Sequence, residues 1–493
     1  MRFALALILG ALGPLSLAPF GLWPAGAVSV AGWFYLLYRS PRRAWLLGWL
    51  YGVGKYAVGV SWVYVSIHQY GNAPPLLAGF LVVLFVSGLA LFPLLNAWVF
   101  ALLRRGRPLG DGLLFVALLV AFEWLLTWLL TGFPWLYVGY AHLDTPLANL
   151  APVGGVLLVS FALALSAVMA ISAVLCSNRA GRALAMALAL SPWLLGWLAA
   201  RPAWVASGEP LQVALVQGNI DQALKWQPET RLLIYRTYLR LSEPHWDVDL
   251  LIWPEAALTF LGQEAAVALE LLDGRGRQTD TALVLGVPEV EWGPSGDVVF
   301  RNTAVAVGTG EGRYVKRRLV PFGEYVPLEG LLRGLIDFFD LPMSRSEPGA
   351  WRQPLLDIGG HLAAMAICYE VVYPELVREQ ARRADVLLTI SNDSWFGRSI
   401  GPLQHLEMAR MRALETGRWM LRGTNNGVTA VIDHQGRMLA SLPQFEPGVL
   451  RAQVHLMSGE TPFLRFGHTP LLLLLAVLLA SLSYLRFRSG GPR

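Results

Sequence analysis

Apolar and polar positions alternate with different periods in different parts of this chain. Residues 1 to 200 and 468 to 486 hold long, nearly uninterrupted apolar runs, whereas most charges fall between 205 and 467. Apolar segments of membrane-spanning length lie at 3–20, 22–38, 44–65, 76–103, 112–131, 149–176, 183–200 and 468–486. After the linker RPAWVASGEP the runs shorten to strand length: LQVALVQ (211–217), DLLIW (249–253), ALVLGVP (282–288), RNTAVAVG (301–308), LAAMAIC (362–368), DVLLTIS (385–391) and GVTAVID (427–433). Helical spacing fits 229–242, 263–274, 374–383 and 402–421. The pattern predicts a multi-pass α-helical membrane domain, residues 1–204 with seven transmembrane helices. A layered α/β domain follows over 205–467, and 468–493 supply an eighth helix and a tail.

Composition agrees with two solvents. The 493 residues are 55% hydrophobic and 15% charged, against about 25% charged in soluble domains, which excludes an ordinary soluble protein. The N-terminus, MRFALALILGALGPLSLAPFG, begins like a signal peptide. Its apolar stretch is too long for one, and further spans follow directly, so it reads as the first span.

The net charge of +5 does not point to nucleic acid, because much of the arginine surplus sits in short connections. Arg2 precedes the first span; Arg39, Arg42 and Arg43 follow the second; Arg104, Arg105 and Arg107 the fourth; Arg179 and Arg182 the sixth; Arg486, Arg488 and Arg493 the eighth. The loops 66–74 and 131–144 carry no Lys or Arg. The positive-inside rule then predicts both termini in the cytoplasm and an extracytoplasmic 205–467 domain. Lys55 and Glu123 lie deep in spans and are expected to meet across helices.

The chain has two cysteines, Cys176 and Cys368. Their placement argues against a disulfide, and two are too few for a cysteine-held metal cluster. Cys368 closes a predicted strand, Glu255 follows another after Trp-Pro, and Lys316 lies beside a third with Glu324 eight residues on. Strand-end loops carry chemistry in α/β folds. Taken singly, each residue has a plainer reading: Glu255 as a helix cap, Lys316 as part of a solvated basic face, and Cys368 as core.

WPEAAL, the Lys of RYVKRRLVPFGEYVP, and ICYEVVYPE resemble the Glu, Lys and Cys motifs of the nitrilase (carbon–nitrogen hydrolase) superfamily. SNDSWFG (391–397) and HLEMARMRALETGRWMLRGTNNGVTAVID (405–433) resemble the motifs that follow the cysteine. Within an eight-span frame, the chain is similar to the apolipoprotein N-acyltransferases of bacterial inner membranes.

The resemblance implies a nitrilase-like αββα sandwich in the periplasm. It makes Glu255 the general base, Lys316 the oxyanion stabiliser and Cys368 the nucleophile, with Glu324, Tyr369 and Glu370 as further active-site residues. Trp226, in DQALKWQPE, resembles a tryptophan on a mobile substrate loop. A phospholipid acyl donor, a diacylated apolipoprotein acceptor and the lipid bilayer are the implied partners, with no cofactor and no nucleic acid. The segment LEGLLRGLIDFFDLPM (328–343) reads as an amphipathic arm at the membrane surface, and Arg317 and Arg318 as contacts for lipid phosphates. A membrane-anchored amidase with water as second acceptor, and a transporter with a solute-recruiting domain, are the rival readings.

Overall fold

The computed structural model describes residues 1–200, 203–292, 298–327 and 346–488. The expected arm at 328–343 lies outside the described residues. The chain divides into two units: residues 1–64, 76–203 and 461–493 form one, and residues 65–75 and 204–460 the other. The connection 65–75 therefore clusters with the α/β unit, although the apolar pattern runs on either side of it.

The first unit is helical. Among the described residues, five helices are long and apolar enough to cross a membrane: Pro75–Leu103, Pro108–Leu126, Pro146–Leu175, Arg179–Ala199 and Thr469–Arg486. The other three expected spans fall on shorter helices, Arg2–Leu12, Trp23–Arg39 and Ala44–Gly59. Ala44–Gly59 stops early because Val60 leaves helical geometry, at φ −122° and ψ 27°. Arg2–Leu12 and Ala44–Gly59 pack backbone to backbone. A Cβ on Gly10 would strike the Tyr51 carbonyl, and one on Gly54 the Leu7 carbonyl, the small-residue contact that membrane helices use. Glu123 accepts from the Val138 N–H (3.0 Å) and lies within electrostatic reach of Lys55 on a neighbouring helix.

The second unit is built on twelve described strands: β1 (Val205–Gln217), β2 (Leu250–Ile252), β3 (Ala282–Trp292), β4 (Val298–Gly308), β5 (Gly310–Val315), β6 (Leu356–Ile358), β7 (Leu362–Ile367), β8 (Val386–Ser391), β9 (Met420–Thr424), β10 (Ala430–Ile432), β11 (Met438–Ser441) and β12 (Gly448–Gly459). They run in the order β11-β10-β9-β8-β7-β6-β5-β4-β3-β2-β1-β12. Two parallel triplets, β1-β2-β3 and β7-β8-β9, are joined through antiparallel neighbours.

Alternate residues of the strands face two different layers. Val213, Ile252 and Val284 of one half share a buried core with Met365, Leu388 and Leu421 of the other. On the opposite face, Ala214, Leu251 and Leu283 pack under Tyr238 of helix Arg231–Ser242 and Leu272 of helix Gly262–Thr279. Helix Pro374–Ala381 covers the second half, and its Gln380 side chain bridges the N–H and carbonyl of Met365 in β7 (3.1 and 2.8 Å). This helix–sheet–sheet–helix layering is the expected αββα sandwich.

All seven expected strands and four expected helices are present. One helix was drawn too long: Gly401–Thr416 ends at Gly417 in the left-handed region (φ +65°), so the expected end at 421 falls inside β9. Strands β5, β6, β9, β11 and β12 escaped the pattern. The long β12 pairs antiparallel with β1 along nearly its whole length, but its exposed face alternates in charged and polar residues.

Candidate active site

Three strand ends bring Glu255, Lys316 and Cys368 to one edge of the sandwich. Chain direction explains this. β2 and β7 belong to the two parallel triplets, so their C-terminal ends emerge on the side where β5 also terminates. Beyond β2 the chain turns sharply at Ala256 (φ +47°). The turn presses on β3, and Gly286 has no room for a Cβ against Glu255 and the Ala256 nitrogen. The Gly286 N–H donates to the Pro254 carbonyl (3.2 Å), and Leu258 donates back to the Gly286 carbonyl (3.2 Å).

Glu255 is buried and fully engaged. Its Oε2 accepts from the Asn392 backbone N–H (2.7 Å) and its Oε1 from Asn302 Nδ2 (2.7 Å), with Lys316 Nζ at 3.5 Å. Lys316 Nζ donates to Glu324 Oε1 at 2.7 Å, and Asn302 reaches the same oxygen at 3.2 Å. Glu324 Oε2 accepts from the Val320 N–H (2.8 Å). Burial alone would push the Lys316 ammonium down. Glu324 and then Glu255 outweigh it and hold Lys316 well above the usual lysine range, so it is a permanent cation.

Cys368 opens a short 3₁₀ turn, Cys368–Val372, directly after β7, and its backbone is left-handed at φ +53°. Non-glycine residues adopt that region at a cost and concentrate at functional sites. Two clamps hold the turn. The first is Glu370, fully buried: Oε2 accepts from the Ile367 N–H (2.8 Å), while Oε1 accepts from the N–H groups of Arg317 (2.7 Å) and Arg318 (3.1 Å) and from Tyr314 Oη (3.0 Å). One carboxylate thus ties the Lys316 strand end to the Cys368 strand end.

The second clamp is His405. Its Nε2 lies 3.1 Å from the Cys368 carbonyl and its Nδ1 3.1 Å from Arg422 Nη2. Asp393 Oδ1 lies 3.3 Å from the same Nδ1, but a carbonyl only accepts, so Nε2 carries a proton and donates to Cys368, and in a neutral ring Nδ1 accepts from Arg422. Burial, and then Arg422, push the imidazole below its ordinary pKa, which agrees with a neutral ring. Asp393 completes the cluster, accepting from Arg422 (2.7 Å) and Ser391 (2.6 Å). Burial would raise its carboxyl, but Arg422 holds it well below the usual carboxylate range.

Burial, and then the Glu255 charge, push the Cys368 thiol well above its ordinary value, with Lys316 acting in the opposite sense. The thiol therefore rests protonated beside a carboxylate. That arrangement suits transfer of the thiol proton at the moment of attack rather than a standing thiolate.

Of the remaining expected residues, Tyr369 is buried edge-on against Tyr373 (5.3 Å), and Trp226 ends a short helix, Gln222–Lys225, whose Lys225 donates to the Glu255 carbonyl (2.9 Å). Arg317 does not face a lipid. Its guanidinium is held by the Trp351 carbonyl and Glu379, and only Arg318, stacked over Tyr373 and Trp351, remains a candidate phosphate contact. The motif reading missed Asn302, Asn392, His405, Asp393, Arg422 and Lys225. Asn302 left a signal, since asparagine is depleted in strands yet stands inside RNTAVAVG. The buried Arg422 left none, because its aspartate partner lies 29 residues away.

The carbon-nitrogen hydrolase family matches residues 212–461, which sets the class of the α/β unit. The apolipoprotein N-acyltransferase N-terminal domain matches residues 9–169. Apolipoprotein N-acyltransferases of Azotobacter vinelandii, Pseudomonas aeruginosa (strain UCBPP-PA14) and Vibrio cholerae are 51%, 50% and 43% identical; the alignments cover 98%, 96% and 96% of this chain and 95%, 94% and 95% of those proteins. A solved amidase from Nesterenkonia sp. AN1 is 24% identical over 55% of this chain and 98% of its own, with a TM-score of 0.36. This chain belongs to the apolipoprotein N-acyltransferase family and is an acyltransferase.

Proposed function

We propose that the protein moves an acyl chain from a phospholipid to the α-amine of the N-terminal S-diacylglyceryl-cysteine of lipoproteins, through a thioester on Cys368. The observation that carries this reading is the shared environment of Glu255, Lys316 and Cys368: a thiol held protonated by burial and a neighbouring carboxylate, with a buried ammonium 3.5 Å from that carboxylate.

In the first half-reaction Glu255 takes the thiol proton as Sγ attacks the ester carbonyl. The ester's carbonyl oxygen becomes an oxyanion facing Lys316, with the Tyr369 N–H as second donor. Collapse expels the lysophospholipid oxygen, which takes the proton back from Glu255 and leaves a thioester. In the second, the lipoprotein amine attacks the thioester, Glu255 accepts the amine proton, and the departing Cys368 sulfur recovers it. An ester becomes an amide, so no nucleotide is consumed. Asn302 and the Asn392 N–H keep Glu255 aimed, and Glu324 keeps Lys316 in place.

Seven spans before the α/β domain and one after it, with the arginine-rich connections on the cytoplasmic side, would put the site on the periplasmic face of the inner membrane. There both lipid substrates are present and ATP is not. The deciding experiment incubates the purified protein with phospholipid alone and maps the acyl adduct by mass spectrometry. Acyl on the Cys368 peptide, passed to a diacylated lipopeptide when one is added, supports transfer. An adduct on another residue, or free fatty acid with unchanged peptide, sinks it.

A further inference from the structure

Lys225 is the group in the α/β unit whose surroundings the chemistry above leaves unexplained. It is fully buried, a rare condition for lysine, and its hydrogen-bond partner is a neutral one, the backbone carbonyl of Glu255 at 2.9 Å. A buried ammonium needs compensating negative charge. The resting anion that supplies it is Glu255, and any negative charge that Cys368 gains during attack adds to it.

Charge counting explains why a second cation belongs there. Glu255 and Glu324 bring two negative charges, and Lys316 supplies one positive charge against them. Lys225 brings the centre to neutrality. Without it, the sulfur would have to gain negative character next to a site that already carries a net negative charge.

The position also links the site to the segment before it. Residues 219–226 are stitched over the strand ends. Asn425 pairs with both polar groups of the Ile220 peptide (2.9 and 2.8 Å), Asn392 Nδ2 donates to Gln222 Oε1 (2.7 Å), and Lys225 anchors the far end. The next residue is Trp226, whose Nε1 is buried with no hydrogen-bond partner among the described residues.

We propose that Lys225 is a positioning residue of the acyl-transfer site, a second buried cation that balances its two carboxylates and fastens the Trp226 segment to the peptide of the general base. The inference rests on the reading of Cys368 as nucleophile. Burial pushes the Lys225 ammonium down to about 8, so the cation is present at neutral pH and is lost as pH rises through that value. The ionisable groups facing it are Glu255, Cys368 and, through them, Lys316; Asp221 on its own segment is exposed.

The test follows Cys368 directly, by iodoacetamide alkylation of the full-length detergent-solubilised protein across pH 6 to 10, alongside acyl-enzyme formation from phospholipid. In Lys225→Met the alkylation rate at each pH in this range should fall roughly tenfold, and acyl-enzyme formation at pH 7 should fall roughly tenfold to a hundredfold. Lys225→Gln keeps a donor for the Glu255 carbonyl but no charge, so it should shift alkylation as Met does. It also decides the matter if the Met variant fails to fold. Lys225→Arg, which cannot lose its proton, should rescue acylation and extend it above pH 8. A wild-type alkylation profile in the Gln variant overturns the inference. Alkylation does not require acyl transfer, so a shifted profile in a protein that transfers nothing would fault the proposed activity and leave Lys225 in its role.

Discussion

Two polar clusters flank Cys368, and they handle buried charge in opposite ways. On one side Glu255, Glu324, Lys316 and Lys225 share partners among themselves: one oxygen of Glu324 accepts from both Lys316 and Asn302, and Lys316 divides its contacts between two carboxylates. On the other side the buried Arg422 guanidinium holds Asp393 and His405, and backbone N–H groups hold Glu370. A proton or a developing charge can be absorbed where partners are shared and ionic. Where a guanidinium and backbone N–H groups lock the carboxylates in place, the same charges hold geometry instead. Cys368 lies between them: the charges of Glu255 and Lys316 act on its thiol, and His405 holds its backbone carbonyl.

Substitutions should separate the two sides. Lys316→Met should lose roughly 10²–10³ in acyl-enzyme formation, the usual effect of removing one oxyanion donor. Burst kinetics with a fluorescent phospholipid reads this loss. A Lys316→Met protein that forms acyl-enzyme at the wild-type rate would move Lys316 to the static side.

Asp393→Asn should instead destabilise the α/β unit by about 3–5 kcal/mol, since it strands a buried guanidinium. The sign with pH is defined. The Asp393 carboxyl is held below its ordinary pKa, so its contribution is complete above about pH 4 and disappears as pH falls through the depressed value. The gap in thermal stability between wild type and variant should therefore be full at pH 7 and begin to close only on the acid side of pH 4. A gap that narrows already between pH 7 and 5 would contradict the assignment.

Glu255→Gln gives a smaller effect of unexpected sign. It removes the proposed base, so acyl transfer should be lost. It also removes the carboxylate charge that raises the Cys368 thiol, so alkylation at a fixed pH should become roughly severalfold faster than in wild type. Slower alkylation would mean that the carboxylate is not an electrostatic neighbour of the sulfur.

The layered core was readable because its strands are apolar on both faces, as β1, β7 and β8 show, and such runs survive without knowledge of their partners. β12 was not, because ArgAlaGlnValHis alternates like a solvated edge and is fixed only by its pairing with β1. The site followed the same division. Glu255, Lys316 and Cys368 stand out as polar groups ending apolar strands. Arg422 and His405 are legible only through contacts in space, since a buried arginine in β9 looks like a surface residue until Asp393 is placed beside it. The arginine pattern of the short connections is what the expected orientation rests on, independently of both.

The left-handed backbone at Cys368 (φ +53°) has a consequence for the protein's thermal stability. An L-residue pays about 1–2 kcal/mol to stand there, and glycine does not. Cys368→Gly should therefore unfold at a higher temperature than Cys368→Ala, both of them inert on the proposed mechanism. The measured difference between these two dead proteins would express in degrees the resilience that the living one gives up in order to present a sulfur.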